Sequence, residues 1–374
     1  MRGAFTTYNH LNGMPLIKRL RALDLFRGLT VVGMILVNSS GSDDVFRLMD
    51  HAPWNGLTFA DFVFPSFLVV VGVSAAYSHA ARRARGQTDG AIARHAALRA
   101  AGLFGLGLLV NFVVFREAGG VRWPGVLQRI ALCSLGATGF LLLDRPKLEP
   151  AVVAALLGGY WLLLTRVPVP GHGAGLLTPE GNLTSWLDRR LMAGHMFTPV
   201  EDQEGLLSTL PALATTLLGV VAGRRLSSGG AHSRAARGLG AAGLALAALG
   251  ALWSLSFPLN KHLWTSSFAL VTGGLCLAVL AGFILLTGDK PKAWEAPLES
   301  LGRHALGAYV GAGFVYGILE YVGARLPDGS RGNLKLWLNA HLFASWLPPR
   351  AASLAFAVAF TALAAATARR LDAR

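Results

Sequence analysis

Charge is scarce in this chain of 374 residues: 14% are Asp, Glu, Lys or Arg. Soluble domains carry roughly a quarter. Cysteine is scarcer still, with Cys133 and Cys276 alone, both inside apolar runs. That excludes a disulfide or metal framework and makes both small core residues. Acid is the rarer sign, 20 residues against 34 basic ones, for a net charge of +14. In a soluble protein this excess would suggest nucleic acid. Here it fits loops that collect Lys and Arg on the cytoplasmic side of a membrane, so no nucleic-acid partner is expected. Short alternating segments are missing, which excludes a β-barrel. No internal repeat is evident, which weighs against an inverted-repeat transporter. A cleavable signal is not expected either, because Leu16-Ile17 is interrupted at once by Lys18-Arg19.

Long uncharged apolar blocks are what the chain does have, and 53% of its residues are hydrophobic. A hydrocarbon core of ~30 Å takes roughly 20 such residues. The expected fold is all-α, a polytopic membrane helix bundle forming one domain over residues 1–374. Ten spans are expected, near 22–40, 58–79, 95–115, 125–143, 149–165, 205–224, 237–256, 264–287, 301–322 and 350–369. The short segment from Leu334 to Trp346 carries Asn339 and His341. It reads as interfacial or re-entrant more than as an eleventh span.

Basic residues orient the bundle. Lys18, Arg19 and Arg21, the Arg82-Arg83-Ala84-Arg85 run, Arg94, Arg145, Lys147, Arg224, Arg225, Arg234, Arg237, Lys290, Lys292, Arg303, Arg369 and Arg370 fall on one side if there are ten spans. That side is the cytoplasm by the positive-inside rule, and both termini are then cytoplasmic. The long loops near 166–204 and 323–349 face the other side. Gly102, Gly105 and Gly107 read as close-packing positions.

Unusual polar groups converge on that other side. They are Asn38, His51, Trp54 and Asn55 in His51-Ala52-Pro53-Trp54-Asn55-Gly56, Asp61, Gln128 and Arg129, Glu204, and Asn260, Lys261 and Trp264. Each has a structural alternative: Asn38 or Asn55 as a helix cap, Asp61 as the ion-pair partner of Arg129, Lys261 snorkelling to the interface. Their convergence from distant spans favours a site, since polar groups kept at the membrane are functional candidates. On the cytoplasmic side Asp24 and Arg27 share a helix face, either as a structural pair or facing a phosphate ligand. Arg303-His304 pose the same choice.

Several segments together resemble the heparan-alpha-glucosaminide N-acetyltransferase family. They are Leu23-Asp24-Leu25-Phe26-Arg27-Gly28, His51-Ala52-Pro53-Trp54-Asn55-Gly56, Ala60-Asp61-Phe62-Val63-Phe64-Pro65, Gly125-Val126-Leu127-Gln128-Arg129, Glu204-Gly205-Leu206-Leu207-Ser208 and Pro258-Leu259-Asn260-Lys261-His262-Leu263-Trp264. The resemblance runs from about residue 19 to at least residue 310. It implies a multi-pass enzyme that takes acetyl from cytosolic acetyl-CoA and passes it to an amino sugar across the membrane. The family's active histidine matches His51, and its catalytic asparagine matches Asn38. Arg303-His304 stand where the family often has an asparagine. The compact form resembles bacterial members, implying a bacterial inner membrane with the site facing the periplasm or exterior.

Acetyl transfer needs a base, donors for the oxyanion, and a dry site. His51 suits the base or an acyl carrier, since histidine titrates near working pH. Asn38 suits stabilising the oxyanion or fixing the histidine, and Asp61 suits orienting the imidazole. Gln128 and Arg129 are read as ligands of acetyl-CoA, with the sugar as the alternative, and Arg27 and Asp24 as coenzyme ligands nearer the cytosol. Trp54, Asn55, Glu204, Asn260, Lys261 and Trp264 are read as contacts of the sugar. The expected partners are an amino-sugar or glycan acceptor and membrane lipids, with a homodimer as a further expectation. Because the donor is cytosolic and the base is external, a passage through the bundle is required. A hydroxyl-directed acyltransferase and a solute transporter are the alternatives.

Overall fold

The computed structural model describes residues 5–6, 19–114, 120–227, 232–288 and 292–372. Lys18 and Lys290, and the Leu16-Ile17 pair, lie outside the described residues. Each of the ten expected spans coincides with a helix. These are α1 (Arg21–Asn38), α2 (Phe59–Ala84), α3 (Asp89–Val114), α4 (Val126–Leu142) and α5 (Glu149–Arg166), then α7 (Thr209–Ser227), α8 (His232–Trp253), α9 (Ser266–Leu286), α11 (Ala305–Tyr321) and α13 (Pro349–Asp372). Among the described residues, six helices are long and apolar enough to cross a membrane: α2, α3, α5 with its leading turn, α8, α9 and α13. The protein is a multi-pass, all-α membrane protein.

Among the described residues, three short α-helices fall between the spans. α6 (Leu183–Met192) forms inside the long 166–204 loop, capped by Asn182, whose side chain accepts the Ser185 N–H at 2.7 Å. α10 (Glu295–Arg303) meets α11 at a break, where the His304 backbone leaves helical geometry. α12 (Leu334–Asn339) runs into a single π turn over Ala340–Ala344. A small hairpin, β3 (Gly323–Arg325) against β4 (Arg331–Asn333), precedes it; β1 (Phe5–Thr6) and β2 (Arg19–Leu20) pair before α1.

Glycine sets the closest helix contacts. A Cβ on Gly72 of α2 would strike the Thr216 carbonyl of α7, and one on Gly219 would strike the Val69 carbonyl. α8 and α9 meet through Gly243 and Gly274 in the same reciprocal way, and α1 and α10 through Gly28 and Gly302. Backbone thus packs on backbone, as association in lipid favours. The packing role expected of Gly102 and Gly105 is not found: nothing lies within 4 Å of a Cβ there, and Gly107 abuts the Gln128 side chain. α3 is a lightly covered outer helix, so Gly102 and Gly105 face open space, and Gly107 alone of the three packs closely, against α4.

α2 fixes the scale of the bundle. Its 26 residues span about 39 Å at ~1.5 Å per residue. Its first turn carries Asp61 and its last carries Arg82 and Arg83. The bundle therefore has a His51 end, where α2 starts, and an Arg82 end, where it stops.

Candidate functional site

His51 lies in the loop between α1 and α2, and α2 begins with the groups that hold it. Thr58 and Asp61 form a reciprocal capping box, which satisfies free N–H groups at the helix start. Asp61 Oδ2 accepts from the Ala52 N–H (3.1 Å), the Thr58 N–H (3.1 Å) and the Thr58 hydroxyl (3.0 Å). Its Oδ1 lies 2.8 Å from His51 Nδ1. One carboxylate therefore caps the helix, closes the loop and orients the imidazole. It is 1% exposed, against 37% for the His51 side chain, so the ring has one anchored side and one open side.

Lys261 completes this group. Its Nζ is 3.1 Å from His51 Nδ1, 3.2 Å from Nε2 and 3.8 Å from Asp61 Oδ1. The turn from Asn260 to Thr265 presents it. Asn260 Oδ1 accepts the Leu263 N–H at 2.8 Å, and Trp264 adopts φ +50°. A bulky residue in that region costs about 1–3 kcal/mol and persists where surroundings over-determine it. Here they do. The Trp264 indole donates to Thr215 Oγ1 at 3.1 Å, and its ring packs edge-on to Phe64 and Phe268.

The turn is stitched to the His51 loop. The Gly56 N–H donates to the Leu259 carbonyl at 2.8 Å, and Asn260 Nδ2 donates to Asn55 Oδ1 at 3.1 Å. Trp54 donates its indole N–H to the Leu177 carbonyl and packs against His262, which in turn meets Glu201. Arg122 binds Asp202 through two contacts at 2.6 and 2.9 Å and Glu204 at 2.5 Å. These carboxylates hold the Arg122 guanidinium above its usual range although burial opposes them. The Glu204 carboxyl lies below its usual range: burial alone would raise it, but Arg122, Arg129 and Lys261 together outweigh that.

Two cavities run from opposite ends of the bundle. The one at the His51 end, about 320 Å³, is lined by Asn38, His51, Gln128, Arg122, Glu204 and Lys261 among others. The one at the Arg82 end, about 630 Å³, is lined by Arg27, His79, Arg82, His95, Arg99 and Arg303. Met34, Val126, Leu127 and Tyr309 line both, so the cavities abut in mid-bundle at an apolar throat.

The structure sorts the expected site residues. His51, Asn38, Asp61, Lys261, Glu204 and Gln128 gather at one cavity or directly behind it. Arg27 lines the other and donates to Asp24 (2.9 Å) and to Ser74 Oγ (2.7 Å). Arg129 reaches neither. It is 1% exposed, donates to the Gly205 carbonyl at 3.0 Å and to Ser208 Oγ at 2.5 Å, and lies over the Trp264 ring. The alternative of an Asp61–Arg129 ion pair is therefore not realised, and Lys261 does not snorkel. Asn55, Asn260, Trp54 and Trp264 hold loops and core together and line neither cavity.

Sequence alone singles out Arg27 and Arg303 at the Arg82 end but misses His79, Arg82, His95 and Arg99 as site residues. The Arg82 run reads there as a topology signal only, and His79, His95 and Arg99 carry no motif. Helical spacing is the signal that would find them. His79 and Arg82 lie three apart on α2, and His95 and Arg99 lie four apart on α3, so each pair shares a face.

Residues 19–259 match the protein family described as heparan-alpha-glucosaminide N-acetyltransferase, catalytic. The chain is 29% identical over 352 residues to the heparan-alpha-glucosaminide N-acetyltransferase of Mus musculus, covering 78% of this chain and 53% of that protein. It is 28% identical over 362 residues to the protein of the same name from Homo sapiens, covering 80% and 53%. The chain thus spans about half the length of these relatives. With the match covering well over half of its residues, including the His51 loop, Asp61, the α4 start and Glu204, the chain belongs to the heparan-alpha-glucosaminide N-acetyltransferase family.

Proposed function

We propose that the protein is a transmembrane acetyltransferase. It moves acetyl from cytosolic acetyl-CoA to the amine of a glucosamine-like sugar on the far side of a membrane. The observation that carries this reading is the pair of abutting cavities, basic at one end and built around His51 at the other. In this reading all ten helices named for the expected spans cross a bacterial inner membrane. The Arg82 end and both termini are cytoplasmic, and the His51 cavity faces the periplasm or exterior.

The residues at the Arg82 end fit the donor chemically. A coenzyme with a diphosphate and a further phosphate needs cations within reach, and arginine suits phosphate. Arg27, Arg82, Arg99 and Arg303 would hold it, with His79 and His95 beside them. The coenzyme supplies the acetyl thioester, whose slender arm suits the apolar throat. At the far end, Asp61 fixes the His51 ring so that Nδ1–H donates to the carboxylate and Nε2 keeps its lone pair. His51 then takes a proton from the acceptor, or carries the acyl group in transit. Asn38 and Gln128 line the same cavity and bring amide N–H donors suited to a developing oxyanion. Glu204 and Arg122 give the wall both signs of charge for a polar sugar.

Sealed vesicles of known orientation test this. Labelled acetyl-CoA supplied at the Arg82 side, with glucosamine at the His51 side, should yield N-acetylglucosamine on the His51 side. Acylation of a hydroxyl sugar but not of glucosamine would favour the hydroxyl-directed alternative. Flux of intact sugar without any need for acetyl-CoA would make the protein a transporter.

A further inference from the structure

An amine acceptor sets a proton count that one base does not meet. An amino sugar arrives as an ammonium, and its nitrogen loses two protons in becoming an amide. The N–C bond forms, the C–S bond breaks and its electron pair goes to sulfur. One proton ends on the thiol and the other leaves to solvent. His51 holds one proton at a time. A hydroxyl acceptor, with a single proton to lose, would need His51 alone.

Resting on the acetyl-transfer reading, we propose that Lys261 is the second proton acceptor of the site, a neutral amine that relieves His51 of the first proton. His51 removes one proton from the acceptor ammonium and passes it to the Lys261 amine. It is then free to take the second proton as the amide forms and to deliver it to the departing sulfur. Lys261 afterwards returns its proton to solvent through the His51 cavity.

The geometry carries this. Lys261 Nζ stands 3.1 and 3.2 Å from the two ring nitrogens, over the ring face and not along the Nε2 lone pair, so a swing of the lysine side chain brings it into line with Nε2 for transfer. Asp61 and Glu204 face Lys261 and favour its charge, but both are already claimed. Asp61 serves its helix cap and His51, and Glu204 is bound by Arg122. Arg129 opposes a second cation here. Lys261 is 7% exposed, and burial, the largest influence, holds its ammonium below the usual lysine range.

Two measurements test the assignment. The first follows acetyl transfer from labelled acetyl-CoA to glucosamine by the full chain and by Lys261→Met and Lys261→Arg, over about pH 6.5 to about 9.5. The Met variant should lose roughly 100-fold in kcat at about pH 7. It should recover toward the unmodified protein at the alkaline end, where the sugar arrives as the free amine. Arginine, a permanent cation, should not rescue. A deficit constant across pH, or rescue by arginine, overturns the proposal. The second measurement needs no acceptor. Trace labelling by acetic anhydride across pH, read on peptides holding Lys261 and the exposed Lys147, should give Lys261 a midpoint at least about one unit lower. Equal midpoints, or no reactivity at any pH, overturn it. A low midpoint in a protein that leaves glucosamine unmodified would retain the neutral amine and defeat the acetyl-transfer reading instead.

Discussion

At the His51 end the charged groups are locked to one another. At the Arg82 end they line a cavity of about 630 Å³. Asp61 is held by two backbone N–H groups, a hydroxyl and an imidazole. Arg122 is gripped by two carboxylates and Lys261 is pressed on His51. Across the throat, Arg27 and Arg303 are paired with Asp24 and Asp372, but Arg82 bonds to Gln87 nearby, and Arg99 lines the cavity wall with no side-chain partner among the described residues. In the proposed function the difference matches two tasks. Bond-making needs atoms fixed within fractions of an ångström before substrate arrives. Holding flexible phosphates needs cations in reach, with geometry completed by the ligand.

The largest expected effect separates the two ends outright. His51→Ala should lower acetyl transfer by roughly 1,000-fold or more while acetyl-CoA still binds at the Arg82 end, as equilibrium binding would show. Loss of both together would mean that the cavities are not separate in function. Asp61→Asn should cost roughly 100- to 1,000-fold in kcat, because an amide no longer selects the Nδ1–H tautomer; coenzyme affinity should stay. Val126→Phe narrows the throat, so binding should survive while transfer falls roughly 100-fold, the scale of a small misplacement of reactants. Unchanged transfer there would show that the acetyl group takes another path.

Arg99→Gln acts at the other end and should raise the Kd for the coenzyme about tenfold, the worth of one charge-assisted contact, with kcat little changed. A kcat effect without a Kd effect would move Arg99 out of the binding role.

The smallest effect concerns the support behind the His51 cavity. Asp188 on α6 accepts the Leu206 N–H at 3.0 Å, and burial pushes its carboxyl up to about 7. A carboxyl raised on folding binds protons more tightly in the native state. Its stability contribution is therefore full below the unfolded carboxylate value and is lost as pH rises through about 7. Thermal unfolding of the protein should lose stability over that window, and Asp188→Asn should flatten the dependence. A slope that persists in the variant would assign it to another group.

Legibility differs between the two ends for a physical reason. Asn38, His51 and Asp61 lie within one short stretch, and polar groups beside apolar spans stand out. Arg129 stands out equally but is spent on the Gly205 carbonyl and Ser208, because a buried guanidinium must find acceptors wherever packing offers them. Asn55 and Asn260 read as sugar contacts, yet they bond to each other and join two loops. His95 and Arg99 are invisible as a site because a basic pair on an outer helix looks like any solvated face until the opposing helix is placed.

By itself, the amino-acid sequence determined the helices, the ends that carry charge, and the family to which the chain belongs. Apolar runs and backbone hydrogen bonding act locally, so their outcome is written along the chain. Only the tertiary structure decided that Lys261 meets His51 across 210 positions, that Arg129 turns inward, and that two cavities abut at Met34, Val126, Leu127 and Tyr309. Those outcomes depend on which helix faces come together. Close glycine contacts between distant segments settle that, and no local pattern records it.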